Sequence, residues 1–500
     1  MKLFVDDFEI IRGKGTTCSQ DMIISVSNYW GLNYELFFCE NMSFKFQFEE
    51  GKKLGDCLIT KRSTEMEYSG KHHGLLMQYD KYTSSSETLS KLRSSVKEKK
   101  LASIYLDAFY TRWNPHGSYL KAHGDHHCLV VDYCDKKSII YCIDPVYSKK
   151  IEELSYDDFL LGNNGGICFF EKVKPIELDF KATKKIINRI KEIIEKENNL
   201  SDILVFSEKM IDCFNMKKEI SGTSNFWTTK IWIGLDKVIF GRYYFYKFVK
   251  FFSQYYSPIN LIEQDALSSY RKWEMIRSII TKLYYTNKNE RRIIETISKL
   301  LQEIYIHENA IHEFLLLDGF PLQKNGNIIL YEYSKDNLIE INLKEFHNNR
   351  SFYIENSAYT VEADFNGEGK YMILTQKELS LFNISDEGDN VKCEKQLIKV
   401  PNGRYSNIFL KGCSEFGGSQ TEIILYYKDA NHQKYTLYFS DWEDGEDVEM
   451  SLSKYWIGRN DKNRIVFIKE LAIKIDSSDI LEAIELPFYP NLHIFALELS

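Results

Sequence analysis

Apolar residues recur three and four apart in some stretches of this chain and alternate with polar ones in others, so helix and strand separate into zones. In "CSQDMIISVSNYWG", Met22, Ile23, Val26, Tyr29 and Trp30 keep helical spacing, and Gly31 supplies a stop. The pattern predicts an amphipathic helix entered directly after Cys18. Further on, "LASIYLDAFY", "HCLVVDY", "KSIIYCIDP" and "GICFFEKV" are dense in β-branched and aromatic residues and read as strands, separated by turns such as "CDKK" and "GNNGG".

From about residue 180 to 315 the period becomes helical throughout. "FKATKKIINRIKEIIEKENNL", "FGRYYFYKFVKFFSQYY", "SSYRKWEMIRSIITKLYY" and "ERRIIETISKLLQEIYIHENAIHEFL" predict long rods packed together. Their aromatic faces exceed what a solvated spacer needs, so they are expected to pack on the first zone and wall its groove. "LLLDGFPLQKNGNIILYEYSKDNLIEINL" returns to strands. From about 356 onward, "GKYMILT", "GRYSNIFLKG", "TEIILYY", "KYTLYFSDW", "NRIVFIKELAIKI" and "NLHIFALELS" are short strands between Gly- and Asp-rich turns, which two packed antiparallel sheets accommodate. The fold class is therefore α+β and multidomain, with expected boundaries at 1–178, 179–355 and 356–500.

Composition narrows the chemistry. A net charge of -8 over 500 residues, without a basic stripe, argues against nucleic acid. No run approaches the roughly 18 apolar residues of a membrane helix, and the start "MKLFVDDFEIIRGKG" places acids where a signal peptide is apolar. The 10 cysteines lack CxxC pairs or regular spacing, which suits free thiols in a reducing compartment, so the expected location is cytoplasmic.

Among those cysteines Cys18 stands apart. It follows a Gly-Lys-Gly stretch at a predicted helix start, where backbone N–H groups and the helix dipole favour a thiolate and can receive a developing oxyanion. Cys128, Cys142 and Cys168 alternate with apolar neighbours inside strands and read as core thiols.

A thiol nucleophile needs an imidazole, and the imidazole needs an acceptor that fixes its ring. His127 opens "HCLVVDY" and Asp144 closes "IIYCIDP"; a hairpin turning around Cys134 to Lys137 brings both to one sheet edge. Cys18, His127 and Asp144 are the expected catalytic set. Strand alternation lets only one of His126 and His127 face Cys18, and His127, nearer the apolar run, is preferred over His126. Gln20, His123 and Asp107 are secondary catalytic or substrate-binding candidates. A metal reading of His123, Asp125, His126 and His127 is disfavoured, because "HxxHH" is not the helical i, i+4 pair and no second cluster completes a tetrahedral site.

"GTTCSQDMIISVSNYWGLNYELFF", joined to the run from Asp107 through Trp113 and Pro115 to "HHCLVVDYCDKKSIIYCIDPV", resembles the N-terminal domain family of the butirosin-biosynthesis acyltransferase and, more distantly, papain-like peptidases that process double-glycine leaders. The family's nucleophile falls on Cys18, its base on His127 and its orienting acid on Asp144; Asp107 occupies a position the family often fills with Asp. Val131-Asp132-Tyr133-Cys134 replaces the family's glycine-containing turn.

The resemblance implies a papain-like fold used for acyl transfer, with a phosphopantetheine thioester on a carrier protein as donor, a small amine as acceptor, no bound cofactor, and no nucleic-acid or membrane partner. A cysteine peptidase or thioesterase using the same triad, and a noncatalytic carbohydrate-binding or assembly protein, are the alternatives. The last zone is similar to galactose-binding-like jelly-roll modules, carried by "FNGEGKYMIL", "LYFSDW" and "IELPFYPNLHIFALEL". There Trp442 either stacks on a sugar or caps the core.

Overall fold

The computed structural model describes residues 8–9, 11–14, 16–114, 119–148, 150–223, 225–286, 291–316, 338–354, 363–374, 382, 384–385, 387–428, 431–444, 451–457, 464–475 and 478–500. Among them the chain is mixed α/β, with ten α-helices and several largely antiparallel sheets.

The helix expected after Cys18 spans Cys18–Tyr29 (α1), with Thr17 as its N-cap. Gln20 Oε1 accepts from the Thr17 N–H at 3.0 Å, the return half of a capping box. The helix stops where expected because Gly31 takes a left-handed φ of 64°, which costs a glycine nothing. Met22, Ile23 and Val26 pack with Phe37, Phe38, Leu129 and Val131.

Six strands make a curled antiparallel half-barrel: Leu75–Lys81 (β1), Ala102–Asp107 (β2), Asp125–Cys134 (β3), Ile139–Ile143 (β4), Ile151–Ser155 (β5) and Gly166–Lys172 (β6), in the order β1-β6-β2-β3-β4-β5. The β3–β4 hairpin is the predicted one, with one departure. Cys134 faces Ile139 and Asp132 faces Tyr141, but Val130 faces Cys142, so the register slips by one residue at Val131. This β-bulge decides which histidine reaches the acid.

The expected rods form as Phe180–Glu197, Lys230–Phe252, Glu263–Thr286 and Arg291–Leu316. They do pack on the first zone. Phe240 and Tyr244 enter the core beneath α1, and Gly241 lies so close to the Asn41 backbone that a Cβ there would meet the carbonyl oxygen at 1.8 Å. Buried Arg242 holds buried Glu308 through two parallel bonds of 2.8 and 2.7 Å, which satisfies both charges inside the layer. Gly13 belongs to this packing too: a Cβ there would meet the Tyr244 hydroxyl at 2.3 Å. Close approach rather than loop freedom therefore calls for glycine at this point in the Gly-Lys-Gly stretch, whose Gly15 lies outside the described residues.

The final zone holds two facing sheets. One includes Asn407–Ser414, Ile465–Lys474 and Phe488–Leu499; the other orders Leu397–Gly403, Leu481–Glu485, Ser419–Tyr427 and His432–Phe439. Ile339–Glu340 and Phe352–Ile354 join the first sheet, so it recruits chain ahead of the boundary expected at 356. Trp273, Ile276 and Ile279 of the helical layer share one core with Ile408, Ile423 and Tyr489 of the sandwich. The strands expected across 317–337 lie outside the described residues.

Candidate active site

Cys18 opens α1 half-buried. The buried imidazole of His126 lies, through Nε2, 2.7 Å from Asp144 Oδ2, and it is close enough to the Cys18 thiol for the two to interact electrostatically. Cys18 and Asp144 thus meet one imidazole, as expected, but it belongs to His126. The expectation for His127 is corrected. Its ring lies edge-on to Tyr105, its register partner on β2, in a cavity with Tyr79 and Cys168.

The bulge at Val131 explains the exchange. An unbroken register from Cys134–Ile139 would set Asp144 opposite Leu129, on the face His127 shares. The slip leaves Leu129 opposite Ile143, so the continued ladder sets Asp144 opposite Cys128, on the face His126 shares. Polar atoms of His126, Cys128 and Asp144 indeed lie within 4.8 Å of one another.

Asp144 is fully buried and saturated with donors. Oδ1 accepts from the Val146 N–H at 3.0 Å and the Tyr147 N–H at 3.1 Å, while Oδ2 accepts from Trp113 Nε1 at 2.7 Å as well as from His126. Burial pushes its carboxyl upward, but the imidazole and these N–H donors outweigh burial and hold it below the usual carboxylate range. For His126, burial opposes the charged ring, whereas the bond to Asp144 and the influence of the nearby Cys18 favour it; together they raise the imidazole to about 9. Burial, joined by the neighbouring His126 charge and only partly opposed by Asp125, pushes His127 the other way. Of these two histidines, His126 has the environment of a proton acceptor.

Two members of the site were not singled out by residue patterning. Trp113 orients the acid from a loop, and the Tyr147 ring lies 4.8 Å from that of His126. Tyr147 follows Asp144-Pro145-Val146 so closely that its proximity is legible in retrospect. Trp113 is separated from Asp144 by 31 residues, and no periodicity links them.

The secondary candidates fall elsewhere. Gln20 is buried and committed to the α1 cap, with its amide 3.5 Å from Thr64 Oγ1. Asp107 takes His123 Nδ1 at 2.7 Å and the N–H groups of Phe109 and Gly124 at 3.0 Å each, while His123 stacks on Phe109. That pair closes the loop between β2 and β3. Trp442 is 2% exposed and packs against Phe365, which makes it a cap on the sandwich core; it borders a cleft of about 310 Å³ facing Trp227 and Trp232. His126, Cys128 and Asp144 are all buried metal-ligand types, but the two oxygens of Asp144 are already engaged by four protein groups.

A nucleophile at a helix start, a buried base raised by its partners and an acid held by several donors can together support acyl transfer through sulfur. Among the described residues, no helix is long and apolar enough to cross a membrane. No protein-family model and no curated protein matches this chain. One similarity to a solved structure is to a family GH115 4-O-methyl-alpha-glucuronidase with specificity for decorated arabinogalactans, at 9% identity and a TM-score of 0.17, over 63% of this chain and 39% of that one. A TM-score that low carries no argument about fold or activity.

Proposed function

We propose that this chain is a cysteine-dependent acyltransferase, built on a papain-like half with a galactose-binding-like jelly roll behind it, that moves an acyl group from a carrier-protein thioester to an amine. The observation that carries the reading is the buried His126 set between Cys18 and Asp144. The resemblance around Cys18 and the β3–β4 hairpin supports the choice of acyl transfer over other thiol chemistry.

In the first half-reaction His126 takes the Cys18 proton and sulfur attacks the thioester carbonyl. The carbonyl carbon–sulfur bond to the pantetheine arm breaks, and the departing thiolate takes the proton from His126. The amine then attacks the acyl-cysteine, His126 accepts the amine proton, and Cys18 leaves with the amide formed. Asp144 keeps the imidazole oriented and stabilises its charged form throughout.

Intact mass after incubation with acyl-loaded carrier proteins tests the reading. Wild type should gain one acyl mass, Cys18→Ala none, and Asp144→Asn should acylate slowly. An adduct that persists in Cys18→Ala rejects the nucleophile. Free acid from every amine tested, with rapid peptide or thioester cleavage, replaces transfer by hydrolysis.

A further inference from the structure

The exposed guanidinium of Arg12 reaches the acid loop of the site: Nη1 donates to the Val146 carbonyl at 3.4 Å, two residues past Asp144. On its other side the chain continues into Gly13, whose N–H is held at 2.7 Å by Asp21 of α1, three residues after Cys18. Among the described residues no carboxylate lies at ion-pair distance from Arg12. Its charge nevertheless reaches the Tyr147 phenol, which also feels Cys18 and Asp144. A cation whose fork is otherwise open thus stands at the rim where nucleophile loop and acid loop meet.

We infer that Arg12 selects an acyl donor whose acyl chain carries a carboxylate near the reacting carbonyl. The inference rests on the acyltransferase reading and adds its substrate class. A guanidinium presents paired N–H donors that match a carboxylate. The acyl carbon is bonded to Cys18 between the two half-reactions, so substituents on that chain stay within a bounded reach of the Cys18 loop. The amine acceptor has no such tether, and a cation disfavours an ammonium. Because Arg12 meets solvent, its effect is one of discrimination between donors rather than of large absolute affinity.

Glutaryl and pentanoyl N-acetylcysteamine thioesters, which have the same chain length with and without a terminal carboxylate, separate the outcomes. Wild type should acylate Cys18 from the glutaryl donor with a kcat/KM about 10-fold above that from the pentanoyl donor. Arg12→Gln should remove that preference through KM, costing the glutaryl reaction about 10-fold more than the pentanoyl one; Arg12→Lys should keep part of it. Equal loss on both donors in Arg12→Gln overturns the inference in favour of a role at the reacting oxygen or in holding the two loops together. Equal use of both donors by wild type overturns it while leaving the acyltransferase reading intact. Absence of a Cys18 adduct from both donors and from acyl-loaded carrier proteins overturns both.

Discussion

The ammonium of Lys14, four residues before Cys18, lies 3.0 Å from a carboxylate oxygen of Glu274 on the Glu263–Thr286 helix. The Glu274 side chain is 1% exposed, the Tyr270 hydroxyl sits 2.5 Å from Lys14 Nζ and 3.0 Å from the second Glu274 oxygen, and the rings of Tyr243 and Tyr270 flank the cation. The loop that presents the nucleophile is therefore clamped from the helical layer.

Lys14→Met should lower stability by about 1–3 kcal/mol, less than for a fully enclosed pair because part of Lys14 meets solvent. It should also slow Cys18 alkylation by iodoacetamide. By the same contact, residues 1–175 alone should lose acylation. Normal acyl transfer by that fragment would make the clamp and its helix dispensable.

His126→Gln should cost about 10²–10⁴-fold in acyl-enzyme formation, whereas His127→Gln should leave the rate little changed. The reverse order, measured by single-turnover acylation, would restore the register without a bulge.

Stability should report the charge on His126. Its folded value lies above that of the unfolded ring, so its contribution is complete below about 6.5 and is lost as pH rises through about 9. The Tm difference between wild type and His126→Gln should therefore shrink between pH 6 and pH 10. A difference that grows with pH would contradict the partners assigned to the ring.

Asp21 shows the opposite dependence. Burial raises its carboxyl to about 6; among the described residues only one oxygen has partners (the Gly13 N–H and the Thr16 hydroxyl), and Oδ2 has none. The folded chain binds this proton more tightly than the unfolded one, so stability falls as pH rises from about 3.8 through about 6. Asp21→Asn keeps an acceptor for both donors and should raise Tm at pH 7.5, with the gain fading toward pH 4. A pH-independent change would show that packing, not charge, sets the effect.

Trp113→Phe keeps an aromatic ring of smaller volume but removes the donor to Asp144 Oδ2. Loss of a hydrogen bond to a charged group costs about 1.5–3 kcal/mol, so Tm should fall by a few degrees, and the loosened Asp144 should slow acylation about 10- to 100-fold. Full activity in this variant would leave Asp144 positioned by Val146 and Tyr147 alone.

By itself the sequence determined the zoning of this protein. Helical period marks α1 and the long rods, alternation marks the half-barrel and sandwich strands, and Thr17 and Gly31 bound α1 by local backbone chemistry. It also brought Cys18 and Asp144 into one candidate site, because a helix start and a hairpin end are local features. The base was a tertiary decision: in a strand of period two, a single extra residue at Val131 moves the acid from the face of His127 to that of His126. Lys14–Glu274 and Trp113–Asp144 were equally beyond local reading, since each joins segments that meet only when layers pack. Periodicity assigns a residue to a face; register and packing decide what that face meets.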